Sequence, residues 1–246
     1  MTQMIRNIAG CCFLLLFFIF QGCKPDEETA PALETGTVAD IDGNVYQTVK
    51  IGNQWWMAEN LKTSRYRNGV YIPSIDDSAG WVSSSAGACC TYENGTSQSP
   101  TPGLLYNWYA VHDTGNIAPA GWHVPTDAEW KTLEQQLGMS QSESDQSGWR
   151  GTHEADKLRV ESPKGWTEYD DVWSTNESGF TALAGSCRLP NAVYGQPGLF
   201  STAFWWSLSE KNGADAWYRY IDYKSSEVFR SHESKSYGFS VRCIKD

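Results

Sequence analysis

The sequence predicts an α+β domain, built mainly of antiparallel strands with about two helices and long loops. Three observations support this. Strand-like segments separated by tight-turn dipeptides open the domain. A single strongly signalled helix follows near the middle, at PTDAEWKTLEQQLG. Alternating apolar and polar segments then return and run to the end, the strands-helices-strands order of an α+β architecture.

The elements follow in order. VADI, Asp42-Gly43, NVYQTVKI, Gly52-Asn53 and QWWMAENL read as a three-strand meander with tight turns. In its middle strand Val45, Gln47, Val49 and Ile51 share one face, and Tyr46, Thr48 and Lys50 the other. Residues 63–103 are rich in Gly, Ser, Asn and Pro and read as a long surface excursion. YNWYAV, Tyr106 to Val111, reads as a strand or a buried turn. In PTDAEWKTLEQQLG, Thr126 and Glu129 form a capping box. Trp130, Leu133 and Leu137 share one helical face, and Gly138 supplies the stop. MSQSESDQSG reads as loop, and THEADKLRV as a shorter helix starting from Thr152. GFTALAGSC, FWWSLSE, AWYRYIDY, EVFRSHE and YGFSVRCIKD read as strands, with KSS turning the third into the fourth. In AWYRYIDY, Trp217, Arg219, Ile221 and Tyr223 lie on one face, opposite Tyr218, Tyr220 and Asp222.

Upstream, Arg6 is the only charged residue before the apolar run CCFLLLFFIF, which is too short to span a bilayer and is flanked like a signal-peptide core. FQGC follows, and it resembles the lipobox of bacterial lipoproteins. That resemblance implies a signal over residues 1–22 and acylation of Cys23. The membrane then becomes a partner through the lipid anchor, since each buried methylene contributes about 0.8 kcal/mol. KPDEETAPALETG reads as a disordered tether over residues 23–36, with the folded domain at 37–246. Its acids resemble the surface-export signal of Bacteroidota lipoproteins; a merely solubilising tether reads the same. The expected location is the outer membrane, facing periplasm or cell surface.

Removing residues 1–22 takes away only Arg6 and leaves 18 Lys and Arg against 29 Asp and Glu. Such an acidic surface argues against nucleic acid and anionic lipid as partners. With Cys23 lipidated, four cysteines remain in an oxidising compartment. No CxxC spacing occurs and the four histidines are scattered, which argues against structural zinc.

The phrases IGNQWWMAENL, GLLYNWYAV, PAGWHVPTDAEW, NESGFTAL, FWWSLSE, AWYRYIDY and YGFSVRCIKD, in this order, resemble the Fibrobacter succinogenes major paralogous domain from about Val38 to Asp246. The resemblance implies an exported protein or lipoprotein with no established enzymatic activity. WWSLSE, AWYRYID and GFSVRC also resemble the end of C-type-lectin-like domains, whose broad fold the formylglycine-generating enzymes share; fold alone carries no function. Calcium-lectin sugar signatures are missing, with Gln196-Pro197-Gly198 a faint echo of one. Members often carry a Cys just before PAGWHVP, where this chain has Ile117-Ala118, and many lack the equivalent of Cys187. The resemblance therefore implies a Cys187–Cys243 disulfide.

Several residues remain as candidate sites. Trp55, Trp56, Trp205, Trp206 and Trp217 are candidates for a carbohydrate-stacking platform. Core packing is the preferred reading for the adjacent pairs, which requires both strand faces to be covered. Asp76, Asp77, Glu168, Asp170 and Asp171 are loop acids able to ligate calcium, although their spacing matches no EF-hand. No other cofactor is expected. Cys89 and Cys90 are expected as a loop disulfide. Asp77-Ser78-Ala79 resembles a short O-glycosylation motif of Bacteroidota, which makes Ser78 a candidate acceptor. No catalytic residues are expected: HExxH and GxSxG do not occur, and His123 has no Cys or Ser nucleophile close by in sequence. The favoured expectation is a non-catalytic binding module for glycan or protein. A structural envelope protein and an enzyme related to the formylglycine-generating group are the alternatives.

Overall fold

A computed structural model describes residues 32–92, 103–161, 165–170, 172–194 and 201–246. Cys23 with its signal, most of the tether, Asp171 and Gln196-Pro197-Gly198 lie outside the described residues. The meander forms as read: β1 (Thr35–Ala39), β2 (Val45–Ile51) and β3 (Gln54–Met57) pair antiparallel. Gly43 and Gly52 hold φ of 85° and 59° at its two turns, a backbone region that favours glycine.

The excursion that follows contains α1 (Ser78–Ser83) and β4 (Cys89–Cys90). YNWYAV is both strand and helix: β5 (Leu105–Asn107) passes directly into α2 (Trp108–Val111), where the Asn107 side chain caps the first turn by accepting from the Ala110 amide. After β6 (Trp122–His123) comes α3 (Asp127–Gln136), with the Thr126–Glu129 capping box complete. MSQSESDQSG holds a helical turn, α4 (Gln141–Ser144), made by a second capping box from Ser140 to Glu143. Next come β7 (Gly148–Arg150) and α5 (Glu154–Leu158). Thr152 does not cap α5; instead the Glu154 carboxylate accepts from the Thr152 and His153 amides.

GFTALAGSC is not a strand. Gly179 and Thr181 take positive φ of 68° and 56°, which breaks the extended run and leaves only single bridges, Ala182 to Arg159 and Gly185 to Thr202. The remaining strands are β8 (Thr202–Glu210), β9 (Asp215–Asp222), β10 (Val228–Ser234), β11 (Gly238–Phe239) and β12 (Ile244–Lys245). Five helices therefore stand among the described residues where two were expected, and the class is α+β with antiparallel sheets. No helix among the described residues is long and apolar enough to cross a membrane.

The strands form sheets in the orders β1-β2-β3-β12-β6, β7-β10-β9-β8 and β11-β5-β4. Strand β12 enters between β3 and β6, so the last strand is tied to the opening meander. Residues Leu33–Asp246 make one compact unit.

Two apolar cores flank strand β8, and adjacent residues feed them alternately. Trp205, 1% exposed, packs with Trp56, Trp130 and Phe180; Trp206, 0% exposed, packs with Tyr106 and Phe239 in the other core. Both indoles donate: Trp205 to Asn60 Oδ1 at 2.9 Å and Trp206 to the Tyr106 carbonyl at 2.9 Å. The same logic sends Trp56 into the first core and leaves Trp55 half-buried against the second.

Helix α3 also docks through charge. Asp127 and Glu134 sit seven residues apart on one helical face and meet Arg219 of β9, Arg230 of β10 and Arg150 of β7. Burial opposes ionisation of Asp127, but Arg230 and Arg219 outweigh it and hold its carboxyl well below the usual range. A further buried cation, Arg242, has its Nε bonded to Asn60 Oδ1 at 2.9 Å and its guanidinium bonded to the Phe180 and Thr181 carbonyls. Desolvation lowers its pKa to about 9.

Candidate functional site

A large cleft of about 1020 Å³ opens where the segment after α5 crosses the end of β9. Its lining combines the buried Arg159 and Trp166 with more exposed aromatic residues and acids. Trp166 is fixed by donating its indole N–H to the Ala182 carbonyl at 2.8 Å. Arg159 bonds Asp156 Oδ1 at 2.8 Å and the carbonyls of Asp222 and Ser225, which anchors α5 to the β9 end. Its guanidinium carbon lies 5.2 Å from the Trp166 ring centre, and its Nε has no hydrogen-bond partner.

Two large rings stand out into solvent around this cleft: Trp173, 71% exposed, and Tyr169, 49% exposed. Tyr169 is held edge-on to Tyr223 with ring centres 5.7 Å apart. Lys224 lies 5.1 Å from the Tyr223 ring centre. Glu161, Glu168 and Asp170 add carboxylates, and Thr167 and Ser174 add hydroxyls. Isolated exposed aromatics are ordinary; two at one large concave site with hydrogen-bonding groups make a stacking surface with polar recognition.

Of the cleft residues the sequence singles out Glu168 and Asp170 as candidate ligands and places Tyr223 only on a strand face; Trp166, Tyr169 and Trp173 are the site residues it misses. The signal was WTEYDDVW, three aromatics spaced among acids in a segment with no strand or helix period.

For the tryptophans the burial agrees with the preferred reading, core packing, over a stacking platform. Trp56, Trp205 and Trp206 are buried in the cores, since both faces of their strands are covered. Trp217 is half-buried and already engaged, with the Arg230 guanidinium 3.7 Å and Lys211 4.9 Å from its ring centre. Trp55 is half-buried on β3 and does not line the cleft.

The disulfides are corrected. Cys89, Cys90, Cys187 and Cys243 are all buried and none is in a disulfide. Cys89 and Cys90 sit on an extended strand, so they point into different cores and cannot bridge. Cys187 and Cys243 lie in the same core without a bond between them. Burial pushes the Cys89 thiol up to about 12 and Cys90 to about 11, the latter despite Arg188 beside it, so both stay protonated.

The loop acids do not converge. The Asp76 carboxylate accepts from the Thr91 amide and hydroxyl, and Asp77 caps α1 through the Gly80 amide, whereas Glu168 and Asp170 line the aromatic cleft. Among the described residues no three His, Cys, Asp or Glu side chains could together hold a metal. Ser78 is exposed in the first turn of α1. Both ring nitrogens of His123 are engaged, one with Asp246 at 2.7 Å and the other with Glu129 at 2.8 Å.

The profile of the Fibrobacter succinogenes major domain matches residues 49–245. The chain belongs to the Fibrobacter succinogenes major domain family. The match begins within β2 and runs to β12, takes in the whole aromatic cleft and nearly all of both cores, and leaves β1, the start of β2 with Tyr46, and the tether outside it. No curated protein and no solved structure matches the chain.

Proposed function

We propose that this member of the Fibrobacter succinogenes major domain family is a non-catalytic glycan-binding module, held to the outer membrane by lipid on Cys23. One observation carries the glycan reading: Trp173, 71% exposed, stands with Tyr169 at a cleft of about 1020 Å³, among carboxylates and hydroxyls. An indole or phenol face suits the C–H face of a sugar ring, and carboxylates accept pairs of sugar hydroxyls. Lipid anchoring rests on the apolar run ending in FQGC, and the acidic tether places the module away from the bilayer surface. The sheets and helices are further inferred to form a C-type-lectin-like domain, on the likeness of the WWSLSE to GFSVRC tail. Neither calcium nor nucleic acid belongs to the reading.

A glycan array probed with the parent protein and with Trp173→Ala, with and without calcium, tests it. The expected result is calcium-independent binding by the parent that the variant loses while remaining folded. Equal binding by both proteins would overturn the assignment of the cleft.

A further inference from the structure

Trp173 lines two clefts. Beyond it from the aromatic cleft lies a second, of about 490 Å³, which includes Thr152, His153, Thr175 and Glu177. The two share the same supports. Asp156 and Lys157 of α5 line the second, and Arg159 with Glu161, just past that helix, line the first. The segment carrying Trp173 is pinned along α5, since the Thr175 amide donates to the Asp156 carbonyl at 3.0 Å and the Ser178 hydroxyl to the Lys157 carbonyl at 2.7 Å. Trp173, just before these anchors, is a solvent-facing ridge shared by the two lobes.

The lobes differ in chemistry. The first offers several aromatic faces; the second has Trp173 as its only ring apart from His153 and combines the apolar Leu137 with hydroxyl, carboxylate and ammonium groups. The first lobe alone reaches the upper end of the about 300–1,000 Å³ typical of small-molecule sites. A single sugar would leave much of it empty and would not touch the second.

The charges in the two lobes also select. Glu161, Glu168, Asp170 and Glu177 are exposed carboxylates without a hydrogen-bonded cation among the described residues. Arg159 is already paired with Asp156, and the Lys157 ammonium donates to the Leu137 carbonyl at 2.8 Å. Lys224 stands beside the Tyr169 and Tyr223 rings, but carboxylates remain in excess, so polyanionic chains would meet repulsion here, and the whole chain carries a net charge of −10.

Building on the glycan reading, we infer that the ligand is a neutral oligosaccharide chain that crosses Trp173 and occupies both lobes, rather than a monosaccharide or an acidic polysaccharide. One sugar stacks at the ridge, and its neighbours hydrogen-bond on either side.

The test is titration calorimetry of the full mature protein against neutral gluco-, manno- and xylo-oligosaccharides of one to six rings, with polygalacturonate alongside. Affinity for the recognised series is expected to rise at least about tenfold from one ring to the longest chain. Glu177→Ala, on the second lobe, should remove part of that rise with length; Trp173→Ala should weaken every length. Binding that does not improve with length overturns the two-lobe inference while leaving glycan recognition intact. Tighter binding to polygalacturonate overturns the neutral-chain assignment. No binding to any of these carbohydrates, with the protein shown folded, overturns both this inference and the glycan reading.

Discussion

Replacing Glu134 by Gln isolates the charged seam beneath α3. Glu134 is 1% exposed; its Oε1 accepts from Arg219 Nε at 2.5 Å and Arg150 Nη2 at 2.9 Å, and its Oε2 from Arg150 Nη1 at 2.8 Å. Three guanidinium groups share two carboxylates here, because Arg219 and Arg230 also bind Asp127. Gln keeps the shape and removes the charge. Two buried arginines then lose their shared counter-ion, and the amide nitrogen must face at least one donor. Breaking a buried pair in this way costs about 3–5 kcal/mol. Against a total stability of about 5–15 kcal/mol this is a large fraction. At roughly 2–4 °C per kcal/mol for a domain of this size, the melting temperature should fall by on the order of 10 °C. Urea unfolding followed by tryptophan fluorescence gives the free energy directly. A loss of about 1 kcal/mol or less, the size of an exposed ion pair, would refute the view that this seam holds α3 to the sheet.

Other outcomes follow from the same structure. Trp205→Ala and Trp206→Ala should each cost about 3–5 kcal/mol in urea unfolding, because each empties a buried indole site on its own side of β8. Trp173→Ala should change stability by no more than about 0.5 kcal/mol. His123 gives a pH dependence. Burial disfavours its protonated form, but Asp246 and Glu129 outweigh burial and raise its pKa in the folded state. Its contribution is thus fully present below the unfolded value near about 6.5 and is lost as pH rises through the folded value. His123→Asn should therefore lower the melting temperature more at pH 5 than at pH 8; an equal loss at both would contradict the assignment. In the purified folded domain Cys89, Cys90, Cys187 and Cys243 should resist iodoacetamide and all become labelled in urea; peptide mapping that finds any pair oxidised would contradict the buried thiols. Cys23→Ser should move the protein from the membrane to the soluble fraction, and unchanged fractionation would refute the lipid anchor.

The parts of the fold that were legible in the sequence are those set by local rules. Helix α3 carries its cap, its apolar face and its glycine stop within fourteen residues, and it forms where those signals lie. The β1–β3 meander and the β9–β10 hairpin are fixed by turn dipeptides and alternation. The tryptophan pairs were readable as two-sided burial, because alternation leaves adjacent indoles no other shared fate in a covered strand. Short elements fared worse. α4 lasts four residues on a capping box that was present as Ser140-x-x-Glu143 but had no apolar run behind it. GFTALAGSC has strand composition, but Thr181 at φ 56° obeys tertiary demands: its carbonyl, like that of Phe180, is an acceptor for buried Arg242. The cleft was the least legible feature. It joins a loop, the end of α5 and the end of β9, which are far apart in sequence and brought together by Arg159. Aromatics in such a segment carry no periodicity from which exposure could be read.

Oxidation by N-bromosuccinimide, mapped by mass spectrometry with and without the bound oligosaccharide, tests glycan binding at Trp173 most directly. Trp173 is the most exposed indole among the described residues, so it should be modified first, and a saturating bound chain should protect it while Trp149, 41% exposed on β7 and lining neither cleft, keeps its reactivity. Saturating ligand that leaves Trp173 as reactive as in the free protein would contradict the account.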